Sequence, residues 1–121
     1  MVSLFNAFPL PQACGFRRSF AFAGRAMDQG YNLLVFPEGQ LTRDGLVAPF
    51  RNGIGLLAVH LNVPVIPMRI DGLFQLKKAG KRTAPPRQVK VTIGEVRRFD
   101  PGADPAAIAR ELEECVRSLE K

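Results

Sequence analysis

The sequence predicts an α/β fold, a mostly parallel sheet with flanking helices, and three observations carry that prediction. Apolar residues recur at helical spacing from Phe16 to Met27, and an unbroken apolar run, Leu33 to Phe36, follows soon after Gly30. A second helical stretch, Ile54 to Leu61, runs straight into the valine-, isoleucine- and proline-rich segment Val63 to Ile70. Val89, Val91 and Ile93 then alternate with polar residues before a final amphipathic stretch. Strand, short helix, strand favours parallel neighbours joined by a right-handed crossover.

The length, 121 residues, suits one domain around one core, and no internal repeat or linker divides it. Hydrophobic residues at 46 % and charged residues at 23 % exclude a disordered chain. A net charge of +6 favours an anionic partner: a phosphate ester, a coenzyme, an anionic lipid headgroup or nucleic acid. Nucleic acid is set aside, because there is no reading helix, aromatic platform or pair of zinc ligands. Cys14 and Cys115 stand too far apart to suggest a metal site or a disulfide framework, which fits a reducing compartment. No metal site is expected. No apolar run approaches the roughly 18 residues of a membrane span, and the N-terminus lacks a signal-peptide layout.

Taken in order, the opening stretch is apolar but broken by Pro9 and Pro11, and is expected to form an extended or edge segment. Phe16, Phe20, Ala23 and Met27 share one helix face, and Gly30 is placed to end that helix in a left-handed cap. Leu33 to Phe36 lack alternation, as expected of a strand covered on both faces. A loop from Pro37 to Phe50 contains the turn-forming pair Asp44-Gly45. Asn52 is expected to cap a short helix whose buried side carries Ile54, Leu57, Ala58 and Leu61. Gly53 and Gly55 weaken that helix but would allow close approach to a neighbouring strand or ligand.

Pro64 and Pro67 remove ladder donors from the next strand, which should be irregular or lie at an edge. Asp71-Gly72 is expected to open a long basic loop containing Lys77, Lys78, Lys81, Arg82 and Arg87. Asp104 followed by Pro105 signals a helix start, and Ile108, Leu112, Cys115, Val116 and Leu119 give the helix, 105–120, one apolar stripe.

The chemistry concentrates at Leu33 to Gly39, where an apolar run ends in a proline, a carboxylate and a glycine with Arg43 and Arg51 downstream. Ligands of open α/β sheets gather beyond the carboxyl ends of strands, so this stretch reads as one wall of a site. Pro37 stops a ladder, Glu38 can accept hydrogen bonds from hydroxyls or arginines, and Gly39 lets the backbone approach an anion.

Phe36-Pro37-Glu38-Gly39, followed at 63–67 by Val-Pro-Val-Ile-Pro, resembles the third and fourth blocks of the glycerolipid acyltransferases. Arg43-Asp44-Gly45 and Pro49 to Gly55 also resemble versions of this domain joined to adenylate-forming ligases. The resemblance spans roughly Phe5 to Phe99. It implies a glycerol-3-phosphate acyltransferase-like fold, incomplete at the N-terminus, so that residues 1–121 form a single partial domain. The implied reaction moves a fatty acyl group from an acyl thioester, on coenzyme A or a carrier protein, to a hydroxyl of a lysophospholipid or acylglycerol phosphate. Coenzyme A or the carrier protein is then a co-substrate and no cofactor is bound. Phe36, Pro37, Glu38, Gly39, Arg43 and Arg51 are the implied substrate-binding residues. The implied setting is the cytoplasm, with peripheral contact at the cytoplasmic face of a membrane.

Two departures qualify what the family pattern implies. Its His-x4-Asp motif is absent, since the one histidine is His60 and position 65 is valine. By the resemblance the motif belongs upstream of Met1, so no residue of this chain is assigned as catalytic and the chain alone is expected to be inactive. The third block usually continues Thr-Arg-Ser, where this chain has Gln40-Leu41-Thr42, and Arg43 is the nearest substitute. An incomplete domain would also leave the 33–36 strand part-covered and prone to association.

Plainer readings stand beside these. Glu38 can pair with Arg51 or cap a loop, and His60 reads as a packed or partly exposed structural residue. The Lys77 to Arg87 run reads as a solvated loop, or as a site for headgroups or coenzyme phosphates. The alternative function is a non-catalytic module that binds anionic lipid.

Overall fold

The computed structural model describes residues 16–40, 43–78, 80 and 89–119. These form α1 (Phe16–Asp28), α2 (Gly53–Leu61), β1 (Met68–Asp71), α3 (Leu73–Lys78), β2 (Lys90–Ile93) and α4 (Pro105–Ser118). The expected edge segment before Phe16, Cys14, and most of the basic run (Lys81, Arg82 and Arg87) lie outside the described residues.

α1 forms on the face that its spacing predicts, with Phe20 and Ala23 buried. It ends as Gly30 implies. The Gly30 N–H donates to the Met27 carbonyl at 3.0 Å and the Tyr31 N–H to the Ala26 carbonyl at 3.0 Å. Gly30 has φ +87°, so this paired closure uses the left-handed residue that glycine adopts without a Cβ penalty.

α2 buries Ile54, Leu57 and Ala58 as predicted, with Leu61 half-buried. Its start differs from expectation. Asn52 has helical angles, φ −62° and ψ −17°, and its side chain makes no capping bond. A capping side chain reaches the first turn's N–H groups from an extended backbone, which Asn52 does not have. α4 provides the contrast: Asp104 is extended, at φ −70° and ψ 120°, and its Oδ1 accepts the Ala106 N–H at 3.3 Å. α4 runs to Ser118 with Leu119 as its C-cap, slightly short of the expected 105–120.

α1, α2 and α4 make one helical layer with α2 in the middle. One cluster joins Ile54 and Ala58 of α2 to Ile108, Ala109 and Leu112 of α4. A second joins Phe20 and Ala23 of α1 to Leu57 of α2. Val35 packs against both clusters and Leu33 against the second. The backbones of α2 and α4 meet at Gly55, where a Cβ would overlap the backbone of Pro105. The close approach expected at this glycine is made by the start of a helix and not by a strand or ligand.

The sheet departs most from expectation. Among the described residues the ladder is antiparallel, β1 against β2, with Met68 opposite Ile93 and Ile70 opposite Val91. A mostly parallel sheet is not what these residues form, and Leu33 to Phe36 join no ladder. The pairing continues irregularly, as the prolines predicted. The Gly94 N–H donates to the Pro67 carbonyl, and Val65 and Arg97 exchange two bonds of 2.8 Å. Pro67 to Val65 takes two steps while Gly94 to Arg97 takes three, so one extra residue bulges from the second strand.

The two sides of this layer differ in cover. Leu33, Val35 and Val65 turn toward the helices and are half-buried. Leu34 and Phe36 alternate away from them and are 73 % and 65 % exposed. Residues directly opposite in an antiparallel pair share a face, so Met68, Ile70, Val91 and Ile93 make one apolar surface, and all four are exposed. The other face carries Arg69, whose guanidinium reaches the Arg117 carbonyl of α4. Apolar residues on both faces erased the alternation in the 33–36 run, yet the described helices cover only one face.

The long loop expected after Asp71-Gly72 is shorter, because Leu73–Lys78 form α3. Leu76 is buried and anchors this helix. Phe74 lies against Gly45, where an added Cβ would come within 2.7 Å of its ring.

Candidate functional site

Phe36-Pro37-Glu38-Gly39 is a β-turn. The Gly39 N–H donates to the Phe36 carbonyl at 3.2 Å, and Pro37 occupies the second position, where its fixed φ is pre-set for a turn. Gly39 follows at φ +70°, in the left-handed region. The stretch predicted to stop a strand therefore turns the chain outward without needing a ladder to stop.

A returning limb, Val47 to Arg51, is stitched to this turn. The Ala48 N–H donates to Glu38 Oε2 at 2.8 Å. The Arg51 N–H donates to the Pro37 carbonyl at 2.9 Å, and Arg51 Nε to the Glu38 carbonyl at 3.3 Å. Glu38 thus holds its own loop through its carboxylate, and Arg51 meets its backbone. That favours the plainer reading of Glu38 as a loop-holding group, while the Arg51 guanidinium is kept at the turn on the exposed side. Arg43 is exposed. Beside it the Leu46 N–H donates to Asp44 Oδ1 at 2.9 Å, and Gly45 takes φ +81°, as its Asp-Gly turn requires.

The structure brings Phe36, Pro37, Glu38, Gly39 and Arg51 together, while Arg43 is exposed. An exposed Phe36 ring, an arginine at the turn and a glycine with open φ space make a surface that can meet a phosphate ester and an apolar chain. His60 lies elsewhere, exposed at the end of α2, with its ring 5.1 Å from that of Phe20. It is a packing neighbour there, as its sequence context suggested.

Two residues of the loop's framework escaped the sequence reading. Glu113 Oε2 accepts the Phe50 N–H at 3.1 Å, and Arg117 Nη2 donates to the Val47 carbonyl at 2.9 Å. The two also pair with each other at 2.8 Å. Their i,i+4 spacing marks a helix-surface pair, but nothing local says that a loop more than sixty residues earlier lies beneath them. Among the described residues no group of three or more His, Cys, Asp or Glu could hold a metal. No described helix is long and apolar enough to cross a membrane.

Residues 15–71 match the family model described as Acyltransferase. That segment runs from α1 through β1 and contains both blocks, at 36–39 and 63–67. It is narrower than the Phe5 to Phe99 span of the sequence resemblance. A 1-acyl-sn-glycerol-3-phosphate acyltransferase of Limnanthes douglasii is 33% identical over 66 residues, covering 54% of this chain and 23% of the relative. The 1-acyl-sn-glycerol-3-phosphate acyltransferase alpha of Mus musculus is 38% identical over 68 residues, covering 54% and 24%. Its Homo sapiens counterpart is 34% identical over 67 residues, again covering 54% and 24%. Over this segment the chain is similar to acyltransferases, among them 1-acyl-sn-glycerol-3-phosphate acyltransferases. It spans about a quarter of the length of the curated relatives it matches. No solved structure matches it.

Proposed function

We propose that this chain is part of an enzyme that moves a fatty acyl group from an acyl thioester to a hydroxyl of a lysophospholipid or acylglycerol phosphate. One observation carries the reading: the Phe36–Gly39 turn, held by Glu38 and Arg51, lies inside the segment shared with acyltransferases. The turn and its loop form the acceptor wall. Phe36 faces the acyl or glycerol portion, the Gly39 backbone and Arg51 meet the phosphate, and Arg43 adds charge at the rim. Glu38 acts by fixing the loop through its carboxylate.

In the reaction the acceptor oxygen attacks the thioester carbonyl, the carbon–sulfur bond breaks, and the thiol leaves as coenzyme A or the carrier protein. The hydroxyl proton goes to a histidine–aspartate pair that these 121 residues do not contain. The net charge of +6 suits work at the cytoplasmic face of an anionic membrane.

Two measurements test this. Purified chain mixed with oleoyl-coenzyme A and lysophosphatidate is expected to consume thioester no faster than buffer, and robust turnover would overturn the roles assigned to these residues. Lysophosphatidate below its micelle concentration is expected to bind, and Arg51→Ala to weaken that binding about tenfold, as for a charge-assisted phosphate contact. Unchanged affinity in the variant removes Arg51 from the site. A second reading, a non-catalytic module for anionic lipid, rests on the net charge and the missing histidine motif. Co-sedimentation with anionic vesicles that free glycerol 3-phosphate does not compete would favour it.

A further inference from the structure

The loop proposed as the acceptor wall is held on two sides. Toward the turn, Ala48 and Arg51 bond to Glu38 and Pro37. On the other side, Val47 and Phe50 bond to Arg117 and Glu113 of α4. The limb is thus held between two sets of partners, one of which is a pair of side chains. Glu113 is the better buried of the two, with its side chain 20% exposed against 49% for Arg117. Each Glu113 oxygen has one task, Oε2 on the Phe50 N–H and Oε1 on Arg117. Arg117 Nη2 in turn serves both Glu113 and the Val47 carbonyl, so the carboxylate orients the guanidinium that grips the loop. The backbone carbonyl of Arg117 accepts from Arg69, which ties this end of α4 to β1.

We propose that Glu113 and Arg117 are positioning residues for the acceptor wall: from a helix beyond the family-matched segment 15–71, they set where the Val47–Arg51 limb, and through it the Phe36–Gly39 turn, is held. The assignment rests on the proposal that this loop binds the acceptor. It goes beyond that proposal in making α4 part of the site's framework and not only of the core. An i,i+4 pair serving the helix alone would leave the loop amides indifferent to its removal.

The test uses the full chain and reads amide hydrogen exchange residue by residue, with glycerol 3-phosphate as the binding probe. Glu113→Ala is expected to speed exchange at Phe50 about tenfold, the loss expected for one hydrogen bond, while Leu57 and Leu112 in the core stay unchanged. Glu113→Gln keeps a carbonyl acceptor at the same place and is expected to restore most of that protection. Arg117→Ala, at an exposed helical site that alanine suits, is expected to speed exchange at Ala48 and Phe50 about threefold, and it decides the matter should Glu113→Ala not fold. Both alanine variants are expected to bind glycerol 3-phosphate several-fold more weakly than wild type.

Exchange at Phe50 that does not respond, or that rises together with the whole core, overturns the positioning role. Faster loop exchange with unchanged affinity also overturns it, because the geometry set by α4 would then not matter to the ligand. A wild-type chain that shows the exchange pattern but binds no glycerol 3-phosphate overturns the acceptor reading and leaves the loop's attachment to α4 intact.

Discussion

Gly24 and Gly55 show how one substitution acquires its sign from the surroundings. Both lie within helices, where alanine is favoured over glycine by about 1 kcal/mol. At Gly24 an added Cβ would meet only the end of the Leu61 side chain, at 3.8 Å, an ordinary contact. Gly24→Ala is therefore expected to stabilise the chain by about 0.5–1 kcal/mol. At Gly55 the same methyl would overlap the backbone of Pro105, which cannot turn aside as a side chain can. Gly55→Ala is expected to cost at least the roughly 1–3 kcal/mol of an overpacked core, more than the helix gains. Urea midpoints at matched slopes measure both variants, and a Gly55→Ala chain as stable as wild type would mean that α2 and α4 separate freely.

At the scale of elements, helix ends show what local sequence can and cannot say. The α1 stop was legible at Gly30 and the α4 start at Asp104-Pro105, because each depends on one residue's backbone preference and its immediate neighbours. Asp104→Ala removes the bond to the Ala106 N–H and is expected to cost about 1 kcal/mol. Its loss should appear as a lower urea midpoint followed by circular dichroism at 222 nm, and an unchanged midpoint would mark the cap as ornamental. Asn52 has the right chemistry for the same task but the wrong backbone, which is set by the Pro37–Arg51 hydrogen bond and the path of the loop as much as by its own type. The 33–36 run illustrates a different limit. Its composition reads as strand, but a strand exists only where a neighbour supplies a ladder, and no described residue does so.

Across the whole molecule the helices cover one side of the layer and leave the other open. Met68, Ile70, Val91 and Ile93 face outward on β1 and β2, with Leu34 and Phe36 also exposed. A contiguous apolar surface of this kind favours association. The purified chain is expected to self-associate with rising concentration in sedimentation velocity. Ile93→Lys should weaken that association about tenfold or more, in line with the apolar burial it removes. A chain that stays monomeric at high concentration would show that this face tolerates water.

The sequence by itself determined α1, α2 and α4, their buried faces, two of their ends and the irregular proline-bearing strand. All of these rest on periodicity or on the backbone limits of single residues, which act over a few positions. The tertiary structure alone decided that β1 and β2 pair antiparallel, that Glu38 bonds Ala48 with its carboxylate and Arg51 with its backbone, and that Glu113 and Arg117 grip the loop. Those outcomes depend on which distant backbone groups are left needing a partner once α2 packs against α4. Hydrogen bonds of that kind form across tens of residues, and no local pattern in the chain records them.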